Sequence, residues 1–440
     1  MRQERIFSQI VLQIRPVFFN LLFVALLFLD FVCPEQGVYR IPDAAASSPS
    51  SVSYHVVGKH ILDSNGNIFV PYGVLIDGIL LAQPNWKTAG ALTHDTIDQM
   101  QAAHDFWHSN TVRLQISSKA LFAQSPYDSS YLAKIDQDVQ WATQLGMNII
   151  ISLQYEGHGN SGQKMPTQDS INFWNVVAPH YANNQRVFFD IFNEPNIKDI
   201  LGHTDNDAAW SFWQDGGTSI DGKAYVGMQR LVDTIRGDGA QNLILAEGLA
   251  TGEDIILLPN HTLTGSNIVY AIHPYLNDTN HHSPADWDHW FGNAAAIANF
   301  PVVADEWGEY QSTKEECITD APTVVPRFLS YLKSHNIGLI AYGFWPGTLI
   351  RGWDFRNPTT YAQSTTICTI DTSIHPNLAP DAEGAGQLIR QYLIANSSQI
   401  PSSQPSFAPS FLLLLVIGMI LLILMLFSII IFSVRRKQSR

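Results

Sequence analysis

The sequence predicts a (β/α)8 barrel followed by a C-terminal membrane-spanning helix, and three observations carry that prediction. Eight apolar, β-rich runs alternate with amphipathic ones between residues 53 and 396. Most of those runs are continuously apolar, as parallel strands covered on both faces are. Phe411 to Val434 is then an unbroken uncharged stretch long enough to cross a bilayer. A doubly wound open sheet is the structural alternative. It would bring a Gly-rich nucleotide turn after an early strand, and no G-x-G-x-x-G occurs in the chain.

Taken in order, residues 1–33 open with Arg2, Arg5 and Arg15 and continue into the short apolar run Val17–Val32, interrupted by Asn20 and Asp30. That is the layout of a secretory signal and is short for a stable span. Residues 34–52 read as a linker. The expected strands are 68–76, 111–116, 148–155, 186–194, 242–248, 267–275, 301–307 and 338–345. Between the second and third of these, Leu132, Ile135, Val139 and Ala142 fall on one helical face, with Asp128 or Ser129 as cap and Gly146 as stop. A second helix opens at Pro322 and ends at Gly338. The link TGEDIILLPNHTLTGS between strands five and six has a weaker pattern and predicts only a short helix. After the barrel, 397–410 is a Ser/Pro-rich stalk, 411–434 the apolar helix and 435–440 a basic tail that should stay cytoplasmic. The expected arrangement is a monomeric, single-pass protein with its barrel outside the cell.

Charge narrows the function. Without the two terminal segments the body keeps 18 Lys+Arg against 37 Asp+Glu, a net charge near −19. Such a surface repels nucleic acid and acidic polysaccharide and suits a neutral partner. No C-x-x-C or H-E-x-x-H occurs, so no metal signature is present, and the histidines around His281 and His282 read as a polar loop. No cofactor is implied. Cys317 and Cys368 form a disulfide outside the cell or remain as two buried thiols.

The chemistry lies at the strand ends, where such barrels gather functional groups. Strand two carries Arg113; strand four ends on Asn193 and Glu194; strand five on Glu247. Strand six ends on His273 and Tyr275, strand seven on Asp305 and Glu306, strand eight on Trp345. Two glutamates facing each other across a barrel mouth are the machinery of glycoside hydrolysis: one gives a proton to the leaving oxygen, the other attacks the anomeric carbon. Asp305 is expected to point away from Glu306, because neighbours on a strand face opposite sides.

Residues 55–395 resemble glycoside hydrolase family 5, the cellulase-like branch of the retaining (β/α)8 hydrolases. The resemblance rests on IFNEP and VVADEWG, supported by VRLQI, AIHPY and GFW. It implies Glu194 as acid/base, Glu306 as nucleophile and Asn193 as partner of the sugar 2-hydroxyl. It implies that Arg113 holds Glu306 ionised by lowering its pKa, that Tyr275 orients it, that His273 sits beside the acid/base, and that Trp345 stacks under the sugar. The family often places a histidine at the end of strand three; here LQYEGHGN offers His158 from the loop instead. Trp86, Trp210, Trp213, Trp287, Trp290 and Trp353 crowd the expected loops, and Trp86 and Trp353 are the ones expected to serve as sugar platforms. The expected activity is endo-cleavage of β-1,4-glucan with retention. A β-mannanase, another β-glucanase, a glycolipid hydrolase and an inactive carbohydrate-binding barrel are the alternatives.

Overall fold

The computed structural model describes residues 53–76, 96–155, 164–203, 206–276, 282–292, 298–308, 321–346, 348–360 and 384–397. Three short strands come first: β1 (His55–Val57), β2 (His60–Leu62) and β3 (Ile68–Phe69), an antiparallel sheet. The barrel follows with β4 (Tyr72–Ile76), β5 (Thr111–Ser117), β6 (Asn148–Tyr155) and β7 (Val187–Asp190). A hairpin of β8 (Gly216–Thr218) and β9 (Ala224–Val226) intervenes. The barrel resumes with β10 (Ile244–Glu247), β11 (Ile268–Ile272), β12 (Val302–Trp307) and β13 (Gly338–Ala341). Every barrel pairing is parallel, and β13 pairs with β4 to close the ring. All eight expected runs supply a barrel strand.

Strand parity sorts the side chains. Val112, Leu114 and Ile116 of β5 join the large core between barrel and helices, as do Val187 and Phe189 of β7 and Ile244 and Ala246 of β10. Leu75, Ile150, Phe188, Leu245, Val269, Val303 and Ile340 pack together as a second cluster, the filled interior of the barrel. Tyr54, just before β1, belongs to that cluster with its ring 5.2 Å from Phe188, and Phe69 of β3 packs against it. The apolar filling ends where the inward positions turn polar: Ser152 after Ile150, Asp190 after Phe188, Glu247 after Leu245.

The helices follow their caps. Ser129–Gln144 starts at Asp128, whose carboxylate accepts from the Ser130 and Tyr131 N–H groups, and Gly146 follows it at φ +83°. Gln168–Tyr181 starts at Thr167 with a capping box through Ser170. The helix expected to run to Gly338 is Ala321–Ser334. Asn336 takes the left-handed turn at φ +55°, and Gly338 opens β13, where a Cβ would lie 2.5 Å from the Pro71 carbonyl oxygen. Between β10 and β11 only the 3-10 turn Leu258–Asn260 forms. Several strands are shorter than expected: β4 opens at Tyr72, not Ile68, β7 ends at Asp190, not Glu194, β11 at Ile272, not Tyr275, and β13 at Ala341, not Trp345. Among the described residues no helix is long and apolar enough to cross a membrane. The expected span 411–434, the signal segment, the stalk, Cys317 and Cys368 lie outside the described residues.

Candidate active site

Arg113 is the hub. It is fully buried in the barrel mouth, and its fork of donors reaches four elements. Nη1 donates to Glu306 Oε2 at 2.7 Å. Nη2 donates to Asp190 Oδ2 at 2.7 Å, Asn193 Oδ1 at 2.8 Å, Ser152 Oγ at 2.9 Å and Glu247 Oε1 at 3.1 Å. Nε lies 3.4 Å from Asp305 Oδ2. Burial alone would lower the guanidinium's pKa, but Asp305, Asp190, Glu306 and Glu247 hold it well above its ordinary value.

Glu306 accepts from Arg113 at Oε2 and from the Tyr275 hydroxyl at Oε1, at 3.0 Å. Both carboxylate oxygens are thus acceptors, the geometry of the ionised form. Burial pushes its pKa above the ordinary carboxylate value, and His273 and Arg113 pull it back. The pull expected of Arg113 is present, but desolvation is the larger effect. Glu194 differs: its side chain is 38% exposed and open to a substrate, with Oε1 3.2 Å from His273 Nδ1. An oxygen of Glu194, an oxygen of Glu306 and a nitrogen of His273 all lie within 4.8 Å of one another.

His273 follows β11 and is fully buried. Burial opposes its charge, but Glu247 and Glu306 outweigh this and raise its pKa well above 6.5. Its Nε2 lies 3.1 Å from Glu247 Oε1, at ion-pair distance although off-line for a hydrogen bond. Glu247, Asp305 and His273 also have metal-binding proximity, but Arg113 already stands within 3.4 Å of both carboxylates and supplies the positive charge there.

Asp305 departs from expectation. It points into the barrel toward Arg113 and His273 and is fully buried. The reason is a register irregularity: Ala304 pairs with Leu339, but Trp307 pairs with Ala341, so β12 carries one extra residue. Alternation sends Asp305 inward after Val303, and the bulge brings Glu306 round to the same side. Asp190 and Ser152 are members of the site that residue-by-residue reading of the strand ends passed over. Their signal was parity, since each sits two residues after an inward apolar neighbour, Phe188 or Ile150.

Trp345 lies among the barrel-interior side chains, edge-on to Tyr342 at 4.7 Å, and is 4% exposed. Trp210, Trp213 and Trp287 are fully buried helix residues, whereas Trp353 is half-buried against Phe355. His158 and Trp86 lie outside the described residues.

A profile of the family described as Cellulase (glycosyl hydrolase family 5) matches residues 74–348. The chain is 24% identical over 282 residues to an endoglucanase of Paenibacillus polymyxa, covering 60% of each protein. It is 24% identical over 288 residues to an endoglucanase of Clostridium saccharobutylicum, covering 65% of this chain and 55% of that one. The chain thus spans somewhat more than half the length of these relatives. Among solved structures, a β-glucanase from Saccharophagus degradans superposes with a TM-score of 0.58 at 21% identity, covering 79% of this chain and 94% of that one. At that identity the likeness speaks for the barrel fold. The profile spans most of the barrel, from β4 to beyond β13, and includes Arg113, Glu194, His273 and Glu306. The chain belongs to the cellulase family, glycosyl hydrolase family 5.

Proposed function

We propose that the protein is a retaining endo-β-glycanase that cleaves β-1,4-glucan by double displacement. The observation that carries this reading is the approach of Glu194 and Glu306, oxygen to oxygen within 4.8 Å, in unlike surroundings. Retaining enzymes hold their two carboxyl groups about 5 Å apart, too close to admit a water between them and the sugar. Glu306, gripped at both oxygens, is the nucleophile: its free electron pair forms a bond to the anomeric carbon. Glu194, open to the cleft, gives its proton to the departing glycosidic oxygen as the C–O bond breaks. It then takes a proton from the water that releases the sugar from Glu306. Arg113 fixes the Asn193 amide through its Oδ1, which aims the amide N–H toward a sugar 2-hydroxyl above Glu306. The acidic body favours a neutral glycan, and the matched relatives named endoglucanase favour a glucan over other neutral polymers.

The same proposal places the barrel outside the cell, tethered by residues 411–434, and protease added to intact cells should shave it off. For the chemistry, the full-length protein is assayed on cellulose-type, mixed-linkage, β-1,3-glucan and mannan polymers, with NMR of the first anomer released. The expected result is β-anomer from a β-1,4-glucan, with Glu194→Gln and Glu306→Gln each lowering turnover by at least about 10²-fold. Release of the α-anomer would overturn the double displacement. Turnover of mannan alone would keep the mechanism and replace the substrate.

A further inference from the structure

The two-glutamate mechanism leaves three buried carboxylates of the barrel mouth unused, Asp190, Glu247 and Asp305, and of these Glu247 is the one that reaches Glu194. Glu247 ends β10 with no exposed surface, so it cannot touch a sugar. Its two oxygens nevertheless reach both halves of Glu194. Oε2 accepts the Glu194 backbone N–H at 2.6 Å. Oε1 lies 3.1 Å from His273 Nε2, and the other ring nitrogen of His273 lies 3.2 Å from the Glu194 carboxyl.

The main-chain contact falls on a strained residue. Glu194 has φ +54°, the left-handed region, which is unfavourable for a non-glycine residue and persists only where the surroundings enforce it. The loop after β10 supplies a second strut. Its Thr251 N–H donates to the Pro195 carbonyl at 3.1 Å, and its Gly252 carbonyl accepts the His273 N–H at 2.9 Å. Gly252 is at φ +87°, and a Cβ there would stand 3.0 Å from the His273 ring. β10 and its loop therefore bracket Glu194 from below, through main chain on one side and through His273 on the other. Arg113, Asp190, Asp305 and Glu306 complete the ring of charges around this bracket.

We propose that Glu247 is a positioning residue that aims the Glu194 carboxyl, by holding the Glu194 N–H and orienting His273. The proposal rests on Glu194 being the acid/base. Glu247 itself transfers no proton; it keeps the proton-bearing oxygen of Glu194 on the line to the leaving oxygen. A merely structural ion pair with Arg113 would slow every step alike. A positioning role slows only the steps that need the proton.

Leaving-group chemistry separates the two. The full-length protein, Glu247→Gln and Glu247→Asp are assayed on aryl β-cellobiosides, one with a dinitrophenyl leaving group and one with plain phenyl. Gln keeps the shape but loses the charge; Asp keeps the charge but draws the oxygen back by one methylene. Folding of each is checked by circular dichroism. Dinitrophenolate departs with little protonation, so the glycosylation step is expected to stay within about 3-fold of wild type, while the phenyl substrate loses on the order of 10²-fold. The basic limb of the kcat/KM profile on the phenyl substrate should also move. Equal losses on both substrates, no loss on either, or failure of both variants to fold would each overturn the proposal. Glu194→Gln is the control. If it too shows no dependence on the leaving group, the acid/base reading itself fails; if it shows the dependence and the Glu247 variants do not, only the positioning role fails.

Discussion

At the residue scale the site is an exercise in shared charge. Arg113 is encircled by Asp190, Glu247, Asp305 and Glu306, none with appreciable solvent contact. Only a guanidinium has enough donors, rigidly spread, to serve so many acceptors at once. A lysine would keep the charge but reach one or two of them. Arg113→Lys is therefore expected to lower kcat by on the order of 10²-fold, because Glu306 is misplaced by about an ångström. Arg113→Met, which strands the buried carboxylates, should in addition cost about 3–5 kcal/mol of stability. Steady-state kinetics and urea unfolding of the two variants measure these effects. A lysine variant with wild-type turnover would show that charge alone suffices.

At the scale of elements, the outer helices fix the path of the chain through the site. Gln168–Tyr181 is the clearest case. Its fully buried Trp174 donates from Nε1 to the Ile191 carbonyl at 3.0 Å, just past the end of β7 and three residues before Glu194. The helix starts where it does because the Thr167 side chain accepts the Asp169 N–H at 3.1 Å and Ser170 answers with the Thr167 N–H. Thr167→Ala removes that start signal and should cost about 1 kcal/mol in urea unfolding. A change within error would mean that tertiary packing alone sets this helix. The caps at Asp128 and Thr167 are local chemistry of the kind a sequence displays openly. The β12 bulge is not: VVADEWG contains no glycine or proline before its turn, and the extra residue exists only relative to β13.

At the scale of the whole molecule, the cluster makes stability depend on pH. Burial raises the pKa values of Asp190, Glu247 and Glu306, and neighbouring carboxylates raise that of His273. All four shifts have one sign, so the folded chain holds protons that the unfolded chain has released. His273's contribution is full below about 6.5 and fades as pH rises through its higher folded value. The carboxyl contributions fade from the ordinary carboxylate range upward. Each retained proton is worth about 1.4 kcal/mol per pH unit over its window. Asp63 and Asp221, shifted downward by hydrogen bonds at the surface, act only below the ordinary carboxylate range. The expected outcome is a Tm lower at about pH 8 than at about pH 5, with a smaller difference in Glu247→Gln. A Tm that rises across that interval would contradict the proton count.

The sequence by itself determined the barrel and the identity of its principal groups. Eight apolar runs separated by amphipathic ones admit few packings; Glu194, His273, Tyr275 and Glu306 stand out as polar residues where such runs end, and Arg113 as a charge inside one. Periodicity and composition are properties of neighbouring residues, so the chain displays them without folding. The tertiary structure alone decided how those groups touch. It turned Asp305 inward beside Glu306, recruited Asp190 and Ser152 to Arg113, and set Glu247 against both the backbone and, through His273, the carboxyl of Glu194. Each of these depends on the register between strands distant in sequence, and register is fixed only when the ring closes.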